Sequence, residues 1–197
     1  MNIERGVSLW RKLKEEESGA VAVEAGAYFV IFFLLCALLS DLSVVFLDKG
    51  RLERVNLSMA TILQQRTRFY DGNETLSAND VQQLYNLAGV LFKDSRLAGR
   101  EYALYADAAY FSPGTTLKSS GTASFQAGSR NCRVRKYAMT SSEVTSLAVW
   151  HTDDVRWLPI YQVTLCIVGT QSLFKRLGGV LGMTIDDLSV SNAVLPR

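Results

Sequence analysis

Apolar residues are unevenly distributed along this chain of 197 residues, and the longest apolar stretch lies near the N-terminus. It runs from Ala25 to Leu47 and contains one charged residue, Asp41. As an α-helix, at about 1.5 Å per residue, this stretch is roughly 35 Å long. The hydrocarbon core of a bilayer is about 30 Å thick, whereas a secretory signal has a shorter apolar region of about 7–15 residues. The pattern therefore predicts one membrane-spanning helix.

Beyond this stretch, apolar residues recur every three or four positions, which is typical of an amphipathic helix. The helix is predicted to continue outside the membrane to about Tyr70, where Asp71-Gly72-Asn73 would end it. A second helix is predicted after Ser77, an N-cap residue that is followed three positions later by Asp80. The repeating positions of the first amphipathic segment are Leu52, Val55, Met59, Ile62, Leu63, Arg66 and Phe69.

After Ser95, short segments rich in tyrosine, valine and threonine alternate with glycine, proline and serine, which indicates strands and loops. The predicted fold class is α+β, with a long N-terminal transmembrane helix that continues into an amphipathic helix and carries a small α+β head. The predicted strands are Glu101–Phe111, Thr122–Gln126, Cys132–Met139, Ser146–Val149, Tyr161–Val168 and Leu188–Leu195, with a short helix at Leu173–Leu181. The predicted regions are a leader at 1–19, the span at 20–47, a helical region at 48–95 and a β-rich head at 96–197.

Charge and residue types argue against several classes of function. The formal net charge is +2, and the basic residues are spread along the chain, so no nucleic-acid partner is predicted. His151 is the only histidine, and neither a serine nucleophile motif nor a second histidine accompanies Asp153 and Asp154. Adjacent acidic residues such as Asp153 and Asp154 offer fewer oxygen ligands than a calcium-binding loop needs. The sequence therefore predicts a protein that is not an enzyme and has no catalytic residue, metal site or cofactor.

The cysteines bear on the compartment of the head. Cys36 lies in the predicted span, whereas Cys132 and Cys166 lie in the head without a C-x-x-C motif or a histidine partner. This arrangement favours one disulfide over a metal site, with two separate buried thiols as the alternative. A bond across this loop would stabilise the fold by about 3–4 kcal/mol. Disulfides persist in the bacterial periplasm, so the head is expected there, although the basic residues flanking the span are balanced and do not decide the orientation.

The start of the span carries a distinctive motif, Ser18-Gly19-Ala20-Val21-Ala22-Val23-Glu24. A carboxylate at the edge of a membrane helix is costly in lipid and usually has a partner. The small residues Gly19 and Ala20 lie at the boundary between a charged leader and the apolar stretch. This layout indicates a protease that cuts on the cytoplasmic side and leaves the apolar helix attached.

Together, these features resemble the type IV pilin-like proteins. Among them, the motif is similar to that of the TadE/TadF-like minor pseudopilins of tight-adherence (Tad/Flp) pilus systems, with the TadF-like proteins favoured. The resemblance implies cleavage between Gly19 and Ala20 by a prepilin peptidase and assembly with a major pilin and other minor pseudopilins. It also implies a single-pass protein of the bacterial inner membrane, with a cytoplasmic N-terminus and a head that is periplasmic or incorporated in the pilus. One difference from the family pattern is the insertion of Ala25-Gly26-Ala27 between Glu24 and the first aromatic residue.

Cleavage would create a new α-amine at Ala20, four residues before Glu24. The amine of a neighbouring subunit could then neutralise the carboxylate and set the axial register of a filament, since an unpaired carboxylate in an apolar core costs several kcal/mol. The alternative is that Glu24 pairs with the amine of its own chain or reaches the lipid headgroups. Two other functions stay open: a signal-anchored periplasmic binding or adhesion module, and a pseudopilin of another secretion or DNA-uptake machine.

Overall fold

The computed structural model describes residues 17–70, 73–132, 134, 138–169, 172–180, 182 and 187–196, with the backbone alone at 17–20, 67 and 174. The described helices are α1 (Glu17–Gln64), α2 (Arg66–Phe69), α3 (Ala78–Phe92), α4 (Ser142–Thr145) and α5 (Leu173–Val180). The described strands are β1 (Tyr102–Phe111), β2 (Ser119–Gly128), β3 (Trp150–His151), β4 (Arg156–Trp157), β5 (Ile160–Ile167) and β6 (Leu188–Val194). One long helix followed by an antiparallel sheet confirms the predicted α+β class.

Helix α1 contains 48 residues, so it is roughly 72 Å long. The predicted rod to Tyr70 is wrong at its distal end, because the helix is interrupted at Gln65 and resumes as the single turn α2. The interruption turns the Arg66 side chain toward the segment before α3, where its Nε donates to the Asn73 carbonyl oxygen at 2.7 Å. Asp71 and Gly72, which were predicted to end the helix, lie outside the described residues.

The main sheet has four antiparallel strands in the order β2-β1-β5-β6. The distal half of α1 packs on β5 and β6, while α3 packs on β1 and β2. Alternation along the strands directs one set of side chains toward these helices. This core includes Leu52, Val55, Met59 and Leu63 of α1, Val81, Leu84 and Ala88 of α3, and Leu104, Ala106, Val163, Leu165 and Ile167 of the sheet.

The opposite face of the sheet is also covered, by the segment between β2 and β3. Met139 and Val144 pack against Ala109 and Ile160 there, which explains why every residue of β5 is buried. Two predicted strands are wrong in this segment. The described residues between Cys132 and Met139 form no strand, and 146–149 are a turn and coil after α4, which Ser141 caps by accepting from the Val144 amide.

Three contacts set the direction of the sheet relative to α1. Asn56 donates to the carbonyl oxygens of Val163 and Val190 in the middle of β5 and β6, at 3.2 Å each. Near the end of α1, the Arg66 guanidinium lies 5.9 Å from the centre of the Tyr161 ring, at the start of β5. The end of β5 at Ile167 therefore points back toward the apolar half of α1. We call this the proximal end of the head, and the end near Arg66 the distal end.

Candidate functional site

The apolar half of α1 is the largest feature that the head leaves uncovered. One helix, near the N-terminus, is long and apolar enough to cross a membrane, and none of its most apolar window is buried. Large side chains are exposed all around it, among them Tyr28 at 72%, Phe33 at 66% and Leu39 at 64%. Exposed apolar surface of this extent in a 23-residue stretch requires an apolar surrounding, and the span is consistent with membrane anchoring.

The predicted processing residues lie at the N-terminal end of this surface. The backbone of Gly19 and Ala20 is helical and lies near the start of the described part of α1. Glu24 follows one turn later, and its side chain is exposed. Gly26 lies on the same uncovered helix, and a Cβ atom added there would meet no atom within 4 Å. Nothing in the described part of the head covers Glu24 or Gly26, so this part of the helix is accessible to lipid or to another helix.

Cys132 and Cys166 are joined by a disulfide near the proximal end of the head. Asp187 lies close to the two sulfur atoms, so that the three groups together resemble a set of metal ligands. Sulfur atoms bonded to one another are not thiolates and do not ligate a metal in that state. Asp187 instead accepts from the Lys175 ammonium group at 2.9 Å. The disulfide and the ion pair therefore stabilise this end of the head and do not form a metal site. The third cysteine, Cys36, is a free, exposed thiol in the span.

A buried ion pair at the distal end was not predicted from the sequence. Arg66, which is 1% exposed, donates from Nη2 to Asp80 Oδ2 at 2.5 Å and to the Thr75 carbonyl oxygen at 2.6 Å. Ser77 and Asp80 form the capping box of α3. Burial acts to raise the pKa of Asp80, but the hydrogen bonds from Arg66 and Ser77 outweigh it, so the pKa is below its usual value. The signal in the sequence was a charged residue, Arg66, within an otherwise apolar stripe.

The single histidine lies on the β3-β4 hairpin at the distal end. Its Nδ1 atom is 3.2 Å from Asp154 Oδ2, and both side chains are about half exposed. Asp154 also lies 3.4 Å from Arg156, whose guanidinium binds Glu74 with both nitrogen atoms. These charges tie the hairpin to the segment before α3. The arrangement is that of a surface ion-pair network that holds two loops together.

A small groove of about 240 Å³ lies on the back of the sheet between α4 and β6. Gln162 lines it and is 3% exposed, and its Nε2 atom has no hydrogen-bond partner among the described residues. Ser191 also lines it, although that hydroxyl is within 2.7 Å of the Thr164 hydroxyl. The groove is lined by the side chains of Gln162 and Asn192 as well as Glu143, Val144 and Leu147, and this mixture does not define a chemistry.

Comparison with known proteins identifies a family. The family model TadF, described as "Putative tight adherence pilin protein F", matches residues 12–197. No curated protein matches the chain, and no solved structure does. The match includes the Gly19-to-Glu24 motif, the span and the whole head.

Proposed function

The chain belongs to the TadF family of tight-adherence pilus components, and on this premise we propose that it is a minor pseudopilin. In this proposal, a prepilin peptidase cuts between Gly19 and Ala20, and the mature protein takes part in assembly of the pilus with the major pilin and other minor pseudopilins. The head lies in the periplasm and the leader in the cytoplasm. The role is structural and requires no catalytic group or cofactor.

The observation that carries the proposal is an exposed carboxylate on an uncovered apolar helix. Glu24 lies one turn after Ala20, at the end of a stretch in which the head leaves all sides open. After cleavage, the amine of Ala20 would be a positive charge at the same depth. In an apolar surrounding, such charges are stable only when they are paired. Pairing between neighbouring subunits would align their helices along the filament axis.

The proposed cleavage point is also suited to proteolysis. Gly19 lies within the described part of α1. Glycine lowers helix stability by about 1 kcal/mol relative to alanine. The helix can therefore unwind locally at Gly19 in the active site of a peptidase while the apolar stretch stays intact. The Cys132–Cys166 bond supports the proposed periplasmic location of the head, since disulfides persist in that compartment.

The first experiment is to determine the N-terminal sequence and intact mass of the protein extracted from its native membrane. We expect a chain that begins at Ala20. Gly19→Leu should abolish processing, whereas the matched control Gly26→Leu should be processed normally, because a side chain at Gly26 meets no neighbouring atom. A native chain that still begins at Met1 would contradict the proposal and favour a signal-anchored module in which α1 is only a tether.

Assembly is tested separately, with Glu24→Gln and the control Glu53→Gln. Glu53 is an exposed carboxylate on the same helix, outside the predicted span. We expect both variants to be processed and only Glu24→Gln to lower the number of pili per cell, counted by electron microscopy. Normal piliation with Glu24→Gln would show that Glu24 does not set the register. Loss of pili with both variants would point to a general defect in protein level.

A further inference from the structure

Helix α5 is amphipathic, but its apolar face points away from the head. Leu173, Leu177 and Val180 lie within about 60° of one another around the helix axis, and their exposed fractions are 47%, 49% and 85%. On the opposite side, Gly178 is buried and Lys175 binds Asp187. In a soluble protein, the apolar face of a helix normally faces the core. Among the described side chains of α5, Lys175 and the buried Gly178 lie on the inner side, and the leucine face is outside.

The position of α5 explains this inversion. Helix α5 lies between β5 and β6 in the chain, after the proximal end of β5, and it contacts α1. Four residues of β5, roughly 13 Å, separate Val163 from Ile167, so the strand ends beside about residue 47 of α1. One face of α1 is partly covered on the membrane side of this level. The residues of that face are Leu38, Asp41, Val44 and Val45, and Asp48, next along the helix, is buried.

We propose that α5 is an interfacial helix that rests on the bilayer leaflet nearest the head, with Leu173, Leu177 and Val180 inserted among the lipid chains. Its outward face continues the exposed apolar surface of the span, because α5 packs directly beside α1. Amphipathic helices bind membranes in this orientation, with the apolar face among the acyl chains. The inference rests on the membrane span alone and is independent of any role in a pilus.

Charged groups around α5 fit the same placement. Lys175 lies on the inner side of the helix and Arg176 lies on its flank, and neither is among the three apolar residues. A basic side chain at the flank of such a helix extends its charged end toward the headgroup region while its stem stays in apolar surroundings, whereas Lys175 binds Asp187 on the inner side. Asp41 lies on the partly covered face of α1. The headgroup region would thus lie near Asp41, and the uncharged run from Ala25 to Ser40 would lie in the hydrocarbon core.

The placement has a consequence for the head. A head that is joined to the membrane by α1 alone can tilt and rotate with that helix in the bilayer. A second contact through α5, fastened to the sheet by the Lys175–Asp187 ion pair and close to the Cys132–Cys166 bond, holds the head at one height and one rotation above the membrane. The surface next to the lipid is then the proximal end, and the β3-β4 hairpin is turned away from it.

The test uses the full-length protein reconstituted in vesicles of phosphatidylethanolamine and phosphatidylglycerol. A spin label is attached at Leu177→Cys in a Cys36→Ser background, in which the other two cysteines stay in their disulfide. The matched control is Val149→Cys, since Val149 is 47% exposed at the distal end. Wild-type Cys36, exposed in the span, supplies the reference for lipid. Relaxation by oxygen, which concentrates in lipid, is compared with relaxation by a water-soluble nickel chelate.

We expect the label at 177 to respond as the label at Cys36 does, more to oxygen than to nickel, with the order reversed at 149. Equal behaviour at 177 and 149 would overturn the proposal. Protection at 177 from both reagents would also overturn it, because the vesicles contain only this chain and a second copy would then cover α5. A label at Cys36 that responds mainly to nickel would overturn the membrane span itself. The same measurement at Val180→Cys guards against a local effect of one substitution.

Discussion

The two halves of α1 have the same helical backbone and both contain many leucine side chains, yet they meet different surroundings. Leu35, in the first half, is 52% exposed, whereas Leu63, in the second half, is completely buried against the head. Along the first half, apolar residues occupy all sides of the helix, while in the second half they occupy one stripe. A helix that is exposed to lipid has apolar residues around its whole circumference, whereas a helix that packs on a protein core has them on one face. The distribution of apolar residues, and not only their number, therefore distinguishes the two.

The comparison predicts that the stability of the head depends on the second half alone. The largest loss is expected for Arg66→Met, because it leaves the Asp80 carboxylate buried without its cation. Breaking a buried pair in this way costs about 3–5 kcal/mol. The free energy of unfolding would be measured by urea denaturation of the full-length protein in detergent micelles.

The control for this substitution is Arg54→Met, which removes an exposed basic residue from the second half of α1. It should change the free energy of unfolding by no more than about 0.5 kcal/mol. Equal losses for Arg54→Met and Arg66→Met would mean that general charge balance, and not the buried network, stabilises the distal end.

A direct comparison of the two halves is given by Leu63→Ala and Leu35→Ala. The first removes a buried side chain from the core between α1 and the sheet, and we expect a loss of about 2–5 kcal/mol. The second removes an equal volume from the uncovered half, and the head should be unaffected within about 0.5 kcal/mol. A loss of head stability from Leu35→Ala would show that the span packs against the head, contrary to its exposure.

Much of the difference between the two halves of α1 could be predicted from the sequence, because its physical causes lie in neighbouring residues. The long apolar run, the later spacing of three and four, and Ser77 with Asp80 all predict helices from neighbouring residues. The capping box at Ser77 is present as predicted. Strands β1, β5 and β6 were also predicted to within a residue or two, since each is a run of β-forming residues between turn residues.

The errors occur where distant residues decide the structure. The interruption at Gln65 results from contacts of Arg66 with the segment that follows it, up to Asp80. Similarly, the segment from Cys132 to Val149 covers the back of the sheet through side chains such as Met139 and Val144, rather than by adding a strand. The outward apolar face of α5 could not be predicted either, because spacing shows that a helix has an apolar face and not which neighbour that face meets.

A smaller effect is expected from the disulfide. Replacing both Cys132 and Cys166 by alanine should lower the free energy of unfolding of the head by about 2–4 kcal/mol, because the unfolded chain loses its cross-link. Cys36→Ala, in the uncovered half, should leave the head unchanged. If the double replacement and Cys36→Ala have the same effect, the disulfide does not constrain the unfolded head.

A pH-dependent effect concerns the ionisation of Asp80, whose pKa is lowered in the folded protein by hydrogen bonds from Arg66 and Ser77 that outweigh the effect of burial. A carboxyl group with a lowered folded-state pKa adds stability that is present above its unfolded pKa, about 3.9, and is lost as the pH falls through the folded value. This contribution should therefore be constant between about pH 7 and pH 5 and decline below about pH 4. Asp80→Asn should be less stable than the wild type at pH 7, and the difference should narrow in acid, as measured by urea denaturation at each pH. A difference that stays constant down to acid pH would mean that the capping geometry, and not the charge of Asp80, stabilises this end of the head.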